Sequence, residues 1–231
     1  MMLEFGVEPD GAPNSLAGRI TTMRDGIAAA ARRAGREASE IALVGVTKKR
    51  PREDVETALR AGLTDIAENY VQEAREKYAH LPAARKHFVG HIQTNKAKAI
   101  VETFDVVQSI DRLEAGRAIA KAARGLGKRV VALLQVNISP EDRFGVAPGD
   151  AAALATRLRD DEGLVVDGVM VIGPNTSDRE SIARAFTRAS ETFAAVGGAT
   201  LSMGMSGDWE QAIACGSTMV RIGTAIFGAR A

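Results

Sequence analysis

Short apolar runs alternate with longer segments rich in Ala, Arg, Glu and Leu along almost the whole chain, and this alternation constrains the fold more than any other feature. The apolar runs lie at Ile41 to Val46, Asp65 to Ala67, His87 to Val89, Asp105 to Val107, Val130 to Val136, Val165 to Val171, Thr200 to Leu201 and Met219 to Ile222. Their length and branched side chains predict strands. Between them, Glu53 to Ala61, Val71 to Tyr78, Asn95 to Glu102, Arg112 to Arg124, Asp150 to Arg159, Arg179 to Ala195 and Trp209 to Cys215 are composed of helix formers. Ser15 is placed to cap an earlier helix that runs to about Arg36, with Gly35 near its end. Strands separated by helices assemble as a parallel sheet, and about eight such units predict an α/β fold of the closed (β/α)8 TIM barrel kind. An open doubly wound sheet would ordinarily carry a Gly-rich fingerprint after its first strand; here Val46-Thr47-Lys48-Lys49-Arg50-Pro51 follows instead. The expected organisation is one domain over residues 15–231 behind a flexible N-terminal arm of residues 1–14.

Composition narrows the classes of partner. With 231 residues, 45% of them hydrophobic, the chain can bury the core of one barrel. Lys+Arg 30 against Asp+Glu 29 gives a formal charge of +1, so no broad basic field is present and no nucleic acid partner is expected. No apolar stretch approaches the roughly 20 residues of a membrane helix, so no membrane partner is expected either. The segment Met1 to Leu16 lacks the basic and apolar regions of a secretory leader. Cys215 is the single cysteine, read as a small core side chain, and with the missing leader it predicts a cytoplasmic protein.

Two glycine-containing segments near the end carry the chemistry. Ser202-Met203-Gly204-Met205-Ser206-Gly207-Asp208 is expected to open one helix, and Val220-Arg221-Ile222-Gly223-Thr224 to end a strand and open another. The first turn of a helix has backbone N–H groups without intrahelical partners and the positive end of the dipole, which suits a phosphoryl group. Glycines and serines also cap helices and punctuate loops without binding anything. In a barrel, reactive residues stand at the C-terminal ends of strands, and Lys48 follows the first one. Beside Lys49 and Arg50 its ammonium would be disfavoured and its amine made available to an aldehyde, although three consecutive basic residues also describe a solvated loop. Glu68-Asn69-Tyr70, His87, His91, Gln93 to Lys96, Gln135, Asn137 and Met170 are expected around the same rim, with Tyr78 on a helix far from it. No zinc-type His-Glu-x-x-His helix and no serine elbow is present, so neither a metal nor a hydrolase nucleophile is expected.

The segments Val44-Gly45-Val46-Thr47-Lys48, Glu68-Asn69-Tyr70-Val71-Gln72-Glu73, His87 to Lys96, Leu201 to Ser206 and Val220 to Gly228 together resemble the pyridoxal phosphate homeostasis protein family, in one order from about Ile41 to Arg230. The resemblance implies a single-domain barrel like the N-terminal domain of alanine racemase, of the fold type III class, with pyridoxal 5'-phosphate as cofactor. It places the cofactor on Lys48 as a Schiff base, the phosphate on Ser206, Gly223 and Thr224, the ring nitrogen opposite Arg221, and Asn69 and Met203 along the ring. This sequence departs from the commoner pattern Ser-Lys-Thr-Lys-Pro, reading Thr47-Lys48-Lys49-Arg50-Pro51, and has Gly207-Asp208-Trp209 after the serine. The first departure puts a second amine beside Lys48.

An arginine opposite the ring nitrogen donates a hydrogen bond and keeps its own proton, so it weakens the ring as an electron sink. The resemblance therefore implies a carrier that serves pyridoxal phosphate homeostasis with little turnover, a monomer able to surrender the cofactor to apoenzymes. A slow racemase of amino acids is the alternative, set back by the want of a second domain to supply a tyrosine base. A barrel for another phosphorylated metabolite, with Lys48 only pairing a charge, is a third reading.

Overall fold

The computed structural model describes residues 14–139 and 143–229. The arm expected over residues 1–14 lies outside them except for Asn14. Strands β1 (Ala42–Val46), β2 (Asp65–Glu68), β3 (Arg85–Phe88), β4 (Val106–Ile110), β5 (Val131–Val136), β6 (Val165–Val171), β7 (Thr200–Ser202) and β8 (Met219–Ile222) form a closed barrel in chain order. Every pairing is parallel, and β1 bonds to both β2 and β8. Helix α1 (Leu16–Arg33) precedes the first strand. Then α2 (Arg52–Arg60), α3 (Val71–Lys77), α4 (Ala97–Thr103), α5 (Leu113–Leu126), α6 (Pro148–Asp160), α7 (Arg179–Val196) and α8 (Trp209–Ala214) alternate with the strands, and the short α9 (Thr224–Phe227) follows β8. The expected barrel is the fold observed.

Element ends follow local chemistry. The Ser15 hydroxyl accepts the Gly18 N–H at 3.1 Å and caps α1, as its position predicts. That helix stops at Arg33 rather than Arg36, because Gly35 turns the chain at φ 67°. Strand β3 begins earlier than its apolar run, at Arg85, and β4 continues through Gln108 and Ser109 to Ile110. Ladder hydrogen bonds carry polar residues that an apolar pattern does not.

The core has two layers. Between strands and helices lie Ile66, Phe88, Val107, Leu201, Val220 and Ile222 with the helical Val55, Ile119, Leu158 and Phe186. Inside the barrel a separate cluster contains Val44, Ala67 and Met219, flanked by Val46 and Val89. Successive strand residues point to opposite faces, and this alternation decides which side chains reach the mouth. Among the described residues no helix is long and apolar enough to cross a membrane.

Candidate functional site

The alternation along β1 settles the register of the two adjacent lysines. Val44 and Val46 face into the barrel, while Gly45 faces outward, where an added Cβ would lie 2.5 Å from Leu63. Continued one step, the pattern sends Thr47 outward and Lys48 inward. Thr47 is wholly buried, with its hydroxyl 2.7 Å from that of Tyr78, and Lys48 lines the cavity at the mouth. Lys49 is exposed and turns at φ 58°, its N–H donating to Glu73 at 2.6 Å.

This cavity, of about 260 Å³, is lined by Val46, Lys48, Arg50, Met205, Ser206, Gly207, Arg221, Gly223 and Thr224. Lys48, Ser206, Arg221, Gly223 and Thr224, named from the sequence, thus meet in one place. Among these lining residues the charged side chains are all cationic, and they stand beside two hydroxyls and two glycines. Such a set favours an anion. An added Cβ at Gly223 would touch only Val46, at 3.7 Å, so the glycine leaves its backbone uncovered toward the cavity. The Ser206 hydroxyl accepts the Ala225 N–H at 3.3 Å and joins the two glycine-containing loops. Gly204 turns the first of them at φ 100°, with the Ala212 Cβ 2.7 Å from where its own would stand.

Arg221 forms the cavity floor and is buried. Its Nη1 donates to the Ser202 carbonyl at 2.9 Å and the Ser202 hydroxyl at 2.6 Å, and its Nη2 to the Val171 carbonyl at 2.8 Å. Burial pulls the guanidinium down to about 10 against the opposing charge of Asp208, so it remains a cation at neutral pH. Burial raises the Asp208 carboxyl, although its Oδ1 accepts the Met205 N–H at 2.6 Å.

Beneath Lys48 lies a polar assembly that the helical pattern of α3 conceals. Lys77 Nζ, buried at the end of that helix, donates to the carbonyls of Thr47 at 2.6 Å and Arg50 at 3.2 Å, at both ends of the turn bearing Lys48. It also contacts the carboxylates of Glu68 and Glu73, each at 2.8 Å. Burial raises the Glu68 carboxyl, while the hydrogen bond and charge of Lys77 act against that rise. Tyr78 is not remote from the rim: its buried hydroxyl braces Thr47, and burial pushes it well above the usual tyrosine range. In sequence, Glu73 and Lys77 read as an ordinary surface pair four residues apart.

Other expected rim residues lie elsewhere. Met203 follows the outward Leu201 by two and is buried in the layer against the helices, so the methionine lining the cavity is Met205. Asn69 follows β2, half-buried and outside the cavity lining, with a buried Oδ1 that has no hydrogen-bond partner. Glu68 points outward to Lys77, and His87 is sealed inside the barrel below the mouth. His91 does reach the rim, stacked on Phe144 with ring centroids 4.0 Å apart. Gln135 Nε2 donates to the Phe144 carbonyl at 2.7 Å, Asn137 Oδ1 accepts the Ser139 N–H at 3.0 Å, and Met170 is buried. Among the described residues no group of three or more His, Cys, Asp or Glu stands where it would hold a metal ion.

An eight-stranded parallel barrel with an inward lysine after its first strand and a cationic, glycine-lined mouth defines the class of alanine racemase N-terminal domains, a family matched over residues 22–231. Within that class, the pyridoxal phosphate homeostasis protein of Pseudomonas aeruginosa is 40% identical over 222 residues, 94% of this chain and 96% of that protein. The pyridoxal phosphate homeostasis protein of Pasteurella multocida is 38% identical over 225 residues, 91% of this chain and 96% of that one. The structure of PipY from Synechococcus elongatus with PLP bound is similar at a TM-score of 0.81 and 30% identity, over 93% of this chain and 100% of that chain. The chain belongs to the pyridoxal phosphate homeostasis protein family.

Proposed function

We propose that this barrel binds pyridoxal 5'-phosphate at its mouth and serves pyridoxal phosphate homeostasis in the cytoplasm as a monomer, holding the cofactor reversibly and passing it to apoenzymes. The observation that carries this reading is the cavity lining: one inward lysine amine together with a cradle of cations, hydroxyls and glycines. Pyridoxal 5'-phosphate, when bound, supplies an aldehyde that an amine captures reversibly. Lys48 is the amine for that Schiff base, because strand alternation turns it inward and Lys49 outward. Ser206, Gly223 and Thr224 hold the phosphoryl group, with Arg50 adding charge at the edge. Asn69 brings a buried acceptor without a protein partner to the same end of the barrel, and an unsatisfied acceptor of this kind favours a ligand donor. Met203 supports the loop from behind.

Arg221 sets the limit on chemistry. As a buried cation it donates to the ring nitrogen and leaves that nitrogen without a proton, so charge developing on a substrate carbon is poorly drained. The protein therefore stores the cofactor and turns over little. The test is the absorbance spectrum with added cofactor, then borohydride reduction and peptide mapping. A yellow band in the wild type, absent in Lys48→Ala, with the pyridoxyl mass on Lys48, is the expected result; no band in either protein would remove the reading. Solvent deuterium entering the Cα of an amino acid at an enzymatic rate would replace storage with racemase-type catalysis.

A further inference from the structure

Inside the barrel, four residues that the cavity does not touch link its floor to the opposite end of the molecule. The Arg221 Nη1 donates to the Ser202 hydroxyl at 2.6 Å, and that hydroxyl donates to Gln108 Oε1 at 2.7 Å. Gln108 Nε2 lies 2.8 Å from His87 Nδ1, and His87 Nε2 lies 2.9 Å from Asp65 Oδ1. His87, Gln108 and Ser202 are wholly buried, and Asp65 opens β2 at the foot of the barrel. These residues come from β8, β7, β4, β3 and β2, so the chain crosses the barrel interior.

Hydrogen-bond chemistry fixes its direction. An ionised carboxylate only accepts, so His87 Nε2 carries the hydrogen that Asp65 receives. Burial lowers the basicity of His87 and keeps the ring neutral, which leaves Nδ1 as an acceptor for the Gln108 amide. The amide oxygen of Gln108 is then free to accept from Ser202, whose oxygen accepts from Arg221. All four donors point the same way, from the cation at the floor to the anion at the foot. Bonds aligned in this manner polarise one another.

We propose that Asp65, His87, Gln108 and Ser202 form a one-way hydrogen-bond relay that positions Arg221 and sharpens its donation to the ring nitrogen of the bound cofactor. This rests on the pyridoxal phosphate reading given above. Three of the five guanidinium N–H groups are committed to Ser202 and Val171, which leaves two for the cavity. Ser202 also defines the tilt at which those two are presented. The four relay members are positioning residues and touch no ligand.

The relay is tested on the full chain in two measurements. In the protein without cofactor, 15N NMR of the imidazoles should show His87 as the neutral Nε2–H tautomer at neutral pH; with three histidines in the chain, its signal is simple to assign. An Nδ1–H or doubly protonated ring would overturn the relay whatever the ligand does. Binding is then measured for pyridoxal 5'-phosphate and for its analogue with C–H in place of the ring nitrogen. Ser202→Ala, and separately Gln108→Glu, should weaken the natural cofactor about fivefold or more relative to the analogue. Equal weakening of both ligands, or none of either, would overturn the proposal. A wild type that binds neither ligand would overturn the cofactor reading, while the tautomer still decides the relay.

Discussion

Lys77 is the residue whose removal should be felt most widely. It is buried, it joins Glu68 and Glu73, and it holds both ends of the turn on which Lys48 rides. Lys77→Met leaves Glu68 as an uncompensated buried charge, and we expect a loss of about 3–5 kcal/mol in urea unfolding. Adding Glu68→Gln should recover part of that loss, because the second change neutralises the stranded carboxylate. A single variant no less stable than wild type would refute this account of the network. Gly204 makes a second, purely steric case: at φ 100°, and with Ala212 and the Trp209 backbone in the space of a side chain, Gly204→Ala should cost about 1–3 kcal/mol and misplace Ser206. Thermal unfolding and cofactor titration would measure the two effects separately.

Among the elements, the loops after β2 and β3 are fitted to each other at Gly90, where an added Cβ would stand 1.9 Å from the Asn69 carbonyl. Gly90→Ala must therefore displace the Asn69 backbone, and a several-fold weaker cofactor affinity is expected from an equilibrium titration, with the fold retained by circular dichroism. Gly127, which ends α5 at φ 60° in open space, contrasts with it: Gly127→Ala should cost only about 1 kcal/mol and leave the mouth unchanged. The element order, and the strand ends carrying Lys48, Ser206, Gly223 and Thr224, were legible in the sequence, because apolar runs and glycine-containing loops announce themselves locally. His87 was not, since a short strand reading Arg85-Lys86-His87-Phe88 gives no clue to which face is inside. Tyr78 and Lys77 were hidden for another reason: their partners Thr47 and Arg50 are distant in sequence and adjacent only once α3 has packed. Met203 turns away from the cavity because the strand's alternation continues past β7, and the resemblance that named it carries no information on that face.

For the whole molecule, the polar interior predicts a response to acid. An unfolded histidine takes up a proton near pH 6.5, whereas His87 resists through burial, despite the opposing pull of Asp65 and Asp105 and with Arg85 adding to the resistance. Below about pH 6.5 the unfolded chain then binds one more proton than the folded one, so stability falls on acidification, by at most about 1.4 kcal/mol per pH unit from this group. Burial also opposes the charge on Asp65, yet hydrogen bonds from His87 and Thr64 outweigh it and hold that carboxyl below its usual range. Its contribution is present above about pH 3.9 and is lost as the pH falls through the folded value. Urea midpoints measured across this range should slope downward toward acid, and His87→Gln should flatten the slope near pH 6; an unchanged slope would exclude His87 as its source. The closure of β8 onto β1 has a consequence for how the protein is made. Lys48 leaves the ribosome well before Arg221, Gly223 and Thr224, which must reach the first strand before the cavity has a floor or a cradle. A nascent chain cannot assemble this cavity piecemeal, because its lining is complete only once the eighth strand has closed on the first.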